Sequence, residues 1–328
     1  MAKIIIGIHG LGNKPPKKLL EKWWKASILE GFEKMGLPIP SLKFELVYWA
    51  DIVYKYPENP NITDKNDPYF LEESYKPYSN KITKKSDYSW RKKVLKFIEK
   101  ELDKVFLNED LSLNYAKVSD AIMYKYFMEL EMYYSNKSDQ IKLKQQTRNR
   151  LLSIIEKHKY DEIFIISHSM GTIIAYDVLQ FELQNQSIHT FVTMGSPLGL
   201  PFIKAKIAKE LKSVHHDLKI STPDCISSAW LNFSDLEDKI ALNFDLNNDF
   251  SSNKNGIQAT DYEIINDYSI DGIKNPHKSY GYLRSNEFIL QLNSFLSEKK
   301  ELSIKNIVKN IRKIGHKIKY LNLLKSTS

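Results

Sequence analysis

Ser169, at the centre of Ser167-His168-Ser169-Met170-Gly171, is the side chain of this sequence best placed to act as a nucleophile. The apolar run Ile163 to Ile166 before it is short and rich in β-branched residues, as in a strand covered on both faces, and Thr172 to Leu179 continues at helical spacing. A serine on a sharp turn from strand to helix fits the nucleophile elbow G-x-S-x-G, where small residues two before and two after it allow close packing. Ser167 and Gly171 hold those places, and Ser167 departs from the usual glycine. The competing use of Ser169 is to cap a helix N-terminus.

A serine hydroxyl is a weak nucleophile at neutral pH, so it needs a base and a carboxylate that holds the base in the right tautomer. In a strand-elbow-helix setting the chain order is Ser, acid, His. Of the eight histidines, only His277 and His316 lie beyond the acid-bearing stretch. His316 falls in a basic C-terminal tail, whereas His277 sits in Asn-Pro-His-Lys-Ser-Tyr, between the last expected strand and the last expected helix. His277 is therefore the expected base. The segment Trp230 to Ile240 offers two aspartates; Asp238 is favoured because Ile240 and Ala241 can anchor its loop, and Asp235 is the second choice. Two backbone N–H groups can face a developing oxyanion: that of Met170, just after the serine, and that of Leu11, in His9-Gly10-Leu11-Gly12. A dinucleotide loop is a poor reading there, since G-x-G-x-x-G does not occur; the competing use is a tight strand-to-helix turn or a weak phosphate loop.

These groups need a sheet to carry them. Lys3 to Ile8 reads as a strand, Lys17 to Met35 as a helix with Leu19, Leu20, Trp23, Trp24, Ile28, Leu29 and Phe32 mostly on one face, and Leu42 to Trp49 as a second strand. From Asp51 to about Asp139 the pattern breaks into turn residues, aromatics and helical segments near Ser89 to Phe106 and Asn114 to Tyr134. So long an interval within a compact domain reads as an inserted cap subdomain. Alternation resumes with a helix over Ile141 to Lys157, strands at 163–166, Thr190 to Met194, Ala229 to Phe233 and Tyr262 to Asn266, and a helix from Ser285 to Leu296. The expected fold is α/β: a doubly wound, mostly parallel sheet with a largely helical cap insertion.

The chain of 328 residues has 42% hydrophobic residues, enough for a sizeable core, and no apolar run long enough to span a bilayer. No secretory signal pattern precedes the first strand, and a single cysteine, Cys225, excludes an internal disulfide and a cysteine metal cluster, so a reducing cytoplasm is the expected location. The formal charge of +8 is unevenly spread. Residues 298–328 carry eight Lys and one Arg against two Glu, which leaves the body nearly neutral. In that tail Ile304, Ile307, Val308, Ile311, Ile314, Ile318 and Leu321 recur at three- and four-residue spacing between Lys and Arg. The pattern is a basic amphipathic helix, suited to peripheral contact with an anionic membrane surface or to packing on the protein itself. Nucleic acid ranks last, because the body supplies no basic groove.

IHGLG at 8–12, SHSMG at 167–171, TMGSPLGLP at 193–201, and WLNFSDLEDKIA at 230–241 with the later NPHKSY together resemble the α/β-hydrolase superfamily, in particular its bacterial lipases and esterases. The resemblance spans the sheet-forming parts of residues 3–297, taken as one domain with a cap at about 51–139 and followed by the tail 298–328. It implies Ser169 as nucleophile, His277 as general base and acid, Asp238 as orienting carboxylate, Leu11 and Met170 as oxyanion donors, and Gly195-Ser196-Pro197 as a wall of the site. The implied reaction is hydrolysis of a small-molecule or lipid carboxylic ester through an acyl-serine, without metal or organic cofactor; thioesterase, amidase or acyltransferase chemistry would use the same parts. The alternative is a non-catalytic binding protein of the same fold that recruits a membrane or protein partner.

Overall fold

The computed structural model describes residues 1–71, 74–78, 130, 132–134, 138–183, 185–215, 219–238, 240–241, 245–270 and 272–297. By internal packing the chain divides into two compact units, Met1–Ile289 and Leu290–Ser328. The second is represented among the described residues only by 290–297, the end of the last helix. The basic tail and most of the cap lie outside the described residues, including the helical segments expected near 89–106 and, apart from residues 130 and 132–134, near 114–134.

Six parallel strands form the central sheet: β1 (Lys3–Ile8), β2 (Phe44–Val47), β3 (Glu162–His168), β4 (Ile188–Met194), β5 (Ile226–Asp235) and β6 (Ala259–Ile264). Their order is β2-β1-β3-β4-β5-β6. Helices α1 (Lys17–Lys34), α2 (Ala50–Val53), α3 (Ser138–Lys157), α4 (Met170–Asp177), α5 (Pro201–His215), α6 (Leu246–Asp249), α7 (Ser279–Leu283) and α8 (Asn286–Ser297) accompany the sheet. Strands β7 (Ser269–Ile270) and β8 (Ile273–Lys274) make a small antiparallel hairpin before α7. This is an α/β-hydrolase fold.

Parallel strands are covered on both faces and so carry apolar side chains in both directions. In β1, Ile4, Ile6 and Ile8 join Leu151 and Ile155 of α3 and Ile173 of α4 in one core cluster. On β3, Ile163 and Ile165 enter that same cluster, while Phe164 meets the ring of Phe288 at 6.4 Å. The buried face of α1 is Leu20, Trp24, Ser27, Ile28, Gly31 and Phe32, and the Ser27 hydroxyl donates to the Tyr280 carbonyl of α7 at 2.6 Å.

The chain leaves β1 toward β2 on one side and returns to β3 on the other, so the strand order reverses between β1 and β3. Open α/β sheets bind ligands at the carboxyl ends of their strands at such a switch point. The turn after β1 and the turn after β3 meet there. Strand β2 is shorter than the sequence implies, because Tyr48 and Trp49 turn away from the sheet to pack on His9. Helix α5 was not anticipated; its buried Ile203, Ile207 and Leu211 recur every four residues after Pro201, a workable first helical position.

Candidate active site

Ser169 sits between β3 and α4 with φ 56° and ψ −128°, the only positive φ of a non-glycine residue among the described residues. Such a backbone costs roughly 1–3 kcal/mol and persists only where its surroundings enforce it. Here the Ser169 N–H donates to the Met194 carbonyl at 3.0 Å, and the Ser169 carbonyl accepts from Thr172 N–H and Thr172 Oγ1. The chain must also approach β1 closely. A Cβ on Gly171 would lie 2.7 Å from the carbonyl oxygens of Ile8 and His9, so no side chain fits. Ser167 is tolerated two residues before Ser169 because its buried hydroxyl donates to the Val192 carbonyl of β4 at 2.6 Å.

His277 Nε2 lies 2.9 Å from Ser169 Oγ, and its Nδ1 lies 2.9 and 2.8 Å from the two oxygens of Asp238. The Asp238 side chain is fully buried, whereas that of His277 remains 27% exposed. Nδ1–H donating to Asp238 leaves the Nε2 lone pair facing the serine hydroxyl, the tautomer that can withdraw its proton. Asp238 is held from three more directions: Ile240 N–H and Ala241 N–H donate to Oδ1, at 2.9 and 3.4 Å, and the Tyr282 hydroxyl donates to Oδ2 at 2.8 Å. Gly195, with φ 53°, leaves the space beside this carboxylate open, since its Cβ would stand 2.8 Å from Asp238 Oδ2.

Asp235, the second choice, does not face His277. Its carboxylate accepts from Glu237 N–H and Asn266 N–H, both at 2.7 Å, and its backbone N–H donates to the Tyr282 hydroxyl. Burial raises its pKa above the ordinary value against these hydrogen bonds. Asn266 in turn donates from Nδ2 to the carbonyls of Pro276 and Lys278, the two residues that flank His277. Asp235 therefore braces the histidine loop through Asn266.

Gly10 brings the turn after β1 against the serine; a Cβ there would stand 2.6 Å from Ser169 Cβ and 3.1 Å from its Oγ. The next residue is Leu11, and the residue after the serine is Met170, whose N–H opens α4 without an intrahelical acceptor. His9 orients the turn. Trp49 N–H donates to its Nε2 at 3.1 Å, so the proton resides on Nδ1 and is donated to the Gly10 carbonyl at 2.8 Å. With that carbonyl drawn to one side, the N–H of the same peptide plane, that of Leu11, points to the other. Burial, reinforced by the Lys14 charge, lowers the His9 pKa to about 3, and the ring stays neutral. Lys14 Nζ caps the carbonyls of Leu11, Gly12 and Asn13.

His168, one residue before the serine, is also buried. Its Nε2–H donates to the His277 carbonyl at 2.7 Å, with the two rings 4.9 Å apart. Burial first, then the neighbouring His277, pushes its pKa well below the ordinary value. His9 and His168 lie within IHGLG and SHSMG, which places them near the site without assigning them these tasks, whereas Asn266 and Tyr282 lie in neither motif. Ser196 completes the wall beside the elbow, its Oγ 2.9 Å from Thr172 Oγ1 and accepting from Leu198 N–H.

No curated protein matches the chain. A family model does match part of it, over a stretch that includes β3, the elbow, β4 and α5, while the His9 turn precedes the stretch and Asp238 and His277 follow it. Over residues 118–230 the chain is similar to the PGAP1-like alpha/beta domain, an α/β-hydrolase-like, lipase/esterase-like domain.

Proposed function

We propose that this protein is a serine hydrolase that cleaves a carboxylic ester, an acyl lipid among the candidate substrates, through an acyl-Ser169 intermediate. The observation that carries the reading is the hydrogen-bonded series from Ser169 Oγ through His277 to buried Asp238. In it, His277 Nε2 takes the serine proton as Oγ attacks the ester carbonyl. The oxyanion that forms is met by the N–H groups of Leu11 and Met170. Collapse breaks the carbon–oxygen bond to the alcohol, which leaves with the proton held on His277. Water then attacks the acyl-serine with His277 again as base, releasing the acid and restoring Ser169. Asp238 holds the ring at Nδ1 and stabilises the transient imidazolium.

The test is labelling by a fluorophosphonate probe and turnover of p-nitrophenyl esters, each compared between the native chain and Ser169→Ala. Both signals should vanish in the variant. A folded native protein that shows neither would instead support a non-catalytic binding protein of this fold. For residues 298–328 we propose peripheral contact with an anionic membrane surface, on the strength of their charge and apolar spacing.

A further inference from the structure

An apolar pocket opens beside the elbow, and we propose that it is an acyl pocket for short chains, acetyl to butyryl, which narrows the substrate class and rests on the esterase reading above. Its lining includes Leu11, Trp49, Val53, Tyr133, Leu143 and Met170. Two of these tie it to the reacting centre. Leu11 adjoins Gly10, whose added Cβ would stand 3.1 Å from Ser169 Oγ, and Met170 is the residue after Ser169. A carbonyl carbon on Ser169 Oγ with its oxygen toward the Leu11 and Met170 amides therefore has this apolar opening next to it for the carbon chain.

The pocket is small. Its volume is about 30 Å³, room for about two water-sized groups, since one needs ~10–15 Å³. An acyl chain of that size fits between the walls, and a longer one must run past them toward the opening or move them. The Tyr133 wall resists movement. Its ring is buried, and its hydroxyl donates to Asp177 Oδ2 at 2.8 Å. Arg148 grips the same Asp177 oxygen at 2.6 Å and reaches Glu210 at 2.8 Å. Shifting the ring would strip a buried ion pair of one of its hydrogen bonds, which is costly inside a protein. The Trp49 wall is held as well: its Nε1–H donates to the His9 carbonyl at 2.8 Å, and its ring stacks on His9. Leu143 is half-buried, and trimming its side chain leaves the hydrogen bonds of the Tyr133 and Trp49 walls in place.

The experiment measures kcat/KM for p-nitrophenyl esters from acetyl to dodecanoyl, below their critical micelle concentrations, on the full native chain, Leu143→Ala and Leu143→Trp, with Ser169→Ala as blank. The native protein should prefer propionyl or butyryl and lose about tenfold or more by octanoyl. Leu143→Ala should move the optimum to longer chains, and Leu143→Trp should depress butyryl more than acetyl. Ser169-dependent rates that stay level or rise to dodecanoyl, or an optimum that neither Leu143 variant shifts, would overturn the pocket and leave the esterase reading standing. Absence of Ser169-dependent turnover with every ester would overturn both.

Discussion

Two buried neutral histidines, His9 and His168, make the fold acid-sensitive in a calculable way. His9 has an ordinary value of 6.5 when unfolded and about 3 when folded, and His168 is likewise pushed well below 6.5. Below pH 6.5 the unfolded chain therefore binds protons that the folded chain refuses, so acid favours unfolding. The stability in question is fully present above pH 6.5 and is lost as pH falls, for His9 down to the folded value of about 3. Between pH 7.5 and 5.5 His9 alone removes about 1 kcal/mol, and His168 acts in the same direction. Urea unfolding at several pH values, for the native chain, His9→Asn and His168→Gln, reads this out. Each variant starts less stable, because it loses hydrogen bonds to Gly10 and Trp49 or to His277. Its acid-induced loss, however, should be smaller than the native loss, by about 1 kcal/mol for His9→Asn. Asp235 and Asp261, whose pKa values burial raises, titrate in all three proteins and cancel in the comparison. Stability curves that run parallel in the native chain and both variants would refute the assignment of neutral, buried rings.

Tyr282→Phe removes the hydroxyl that donates to Asp238 and accepts from Asp235 N–H. We expect kcat to fall about tenfold with KM little changed, and stability to fall by roughly 1–3 kcal/mol; an unaltered kcat would show that the remaining donors suffice to hold Asp238. Removal of residues 298–328 should weaken co-sedimentation with vesicles rich in anionic lipid while sparing hydrolysis of a small soluble ester, and undiminished vesicle binding would reject the membrane role of the tail.

The sheet was legible because its strands are buried on both faces. The run Ile163 to Ile166 has no polar interruption, and the expected strand positions at 3–8, 190–194 and 229–233 each fall inside an observed strand. Helix α5 was hidden by its lysines, which dilute the apolar face of Ile203, Ile207 and Leu211. Chain order pointed to His277, and the structure brings that ring to Ser169. Choosing between Asp235 and Asp238 was harder, because they stand three residues apart, Asp235 at the end of β5 and Asp238 in the turn after it. The difference is made by distant groups, Asn266 taking up one carboxylate and Tyr282 holding the other. His9 and His168 were illegible as supporting residues for the same reason. Their partners, the Trp49 amide and the His277 carbonyl, lie 40 and 109 residues away in the chain, and no local periodicity encodes such a meeting.

Ser169 and His277 are 108 residues apart, and His277 and Asp238 are 39 apart. The three converge only when β1, β3, β4 and β5 have paired in register and the loop before α7 has docked. A partly assembled chain, however compact, would carry a serine no more reactive than any other. On the proposed hydrolase mechanism, modification by a serine-directed probe becomes a census of finished molecules, so that the labelled fraction during refolding follows completion of the sheet rather than collapse or helix formation.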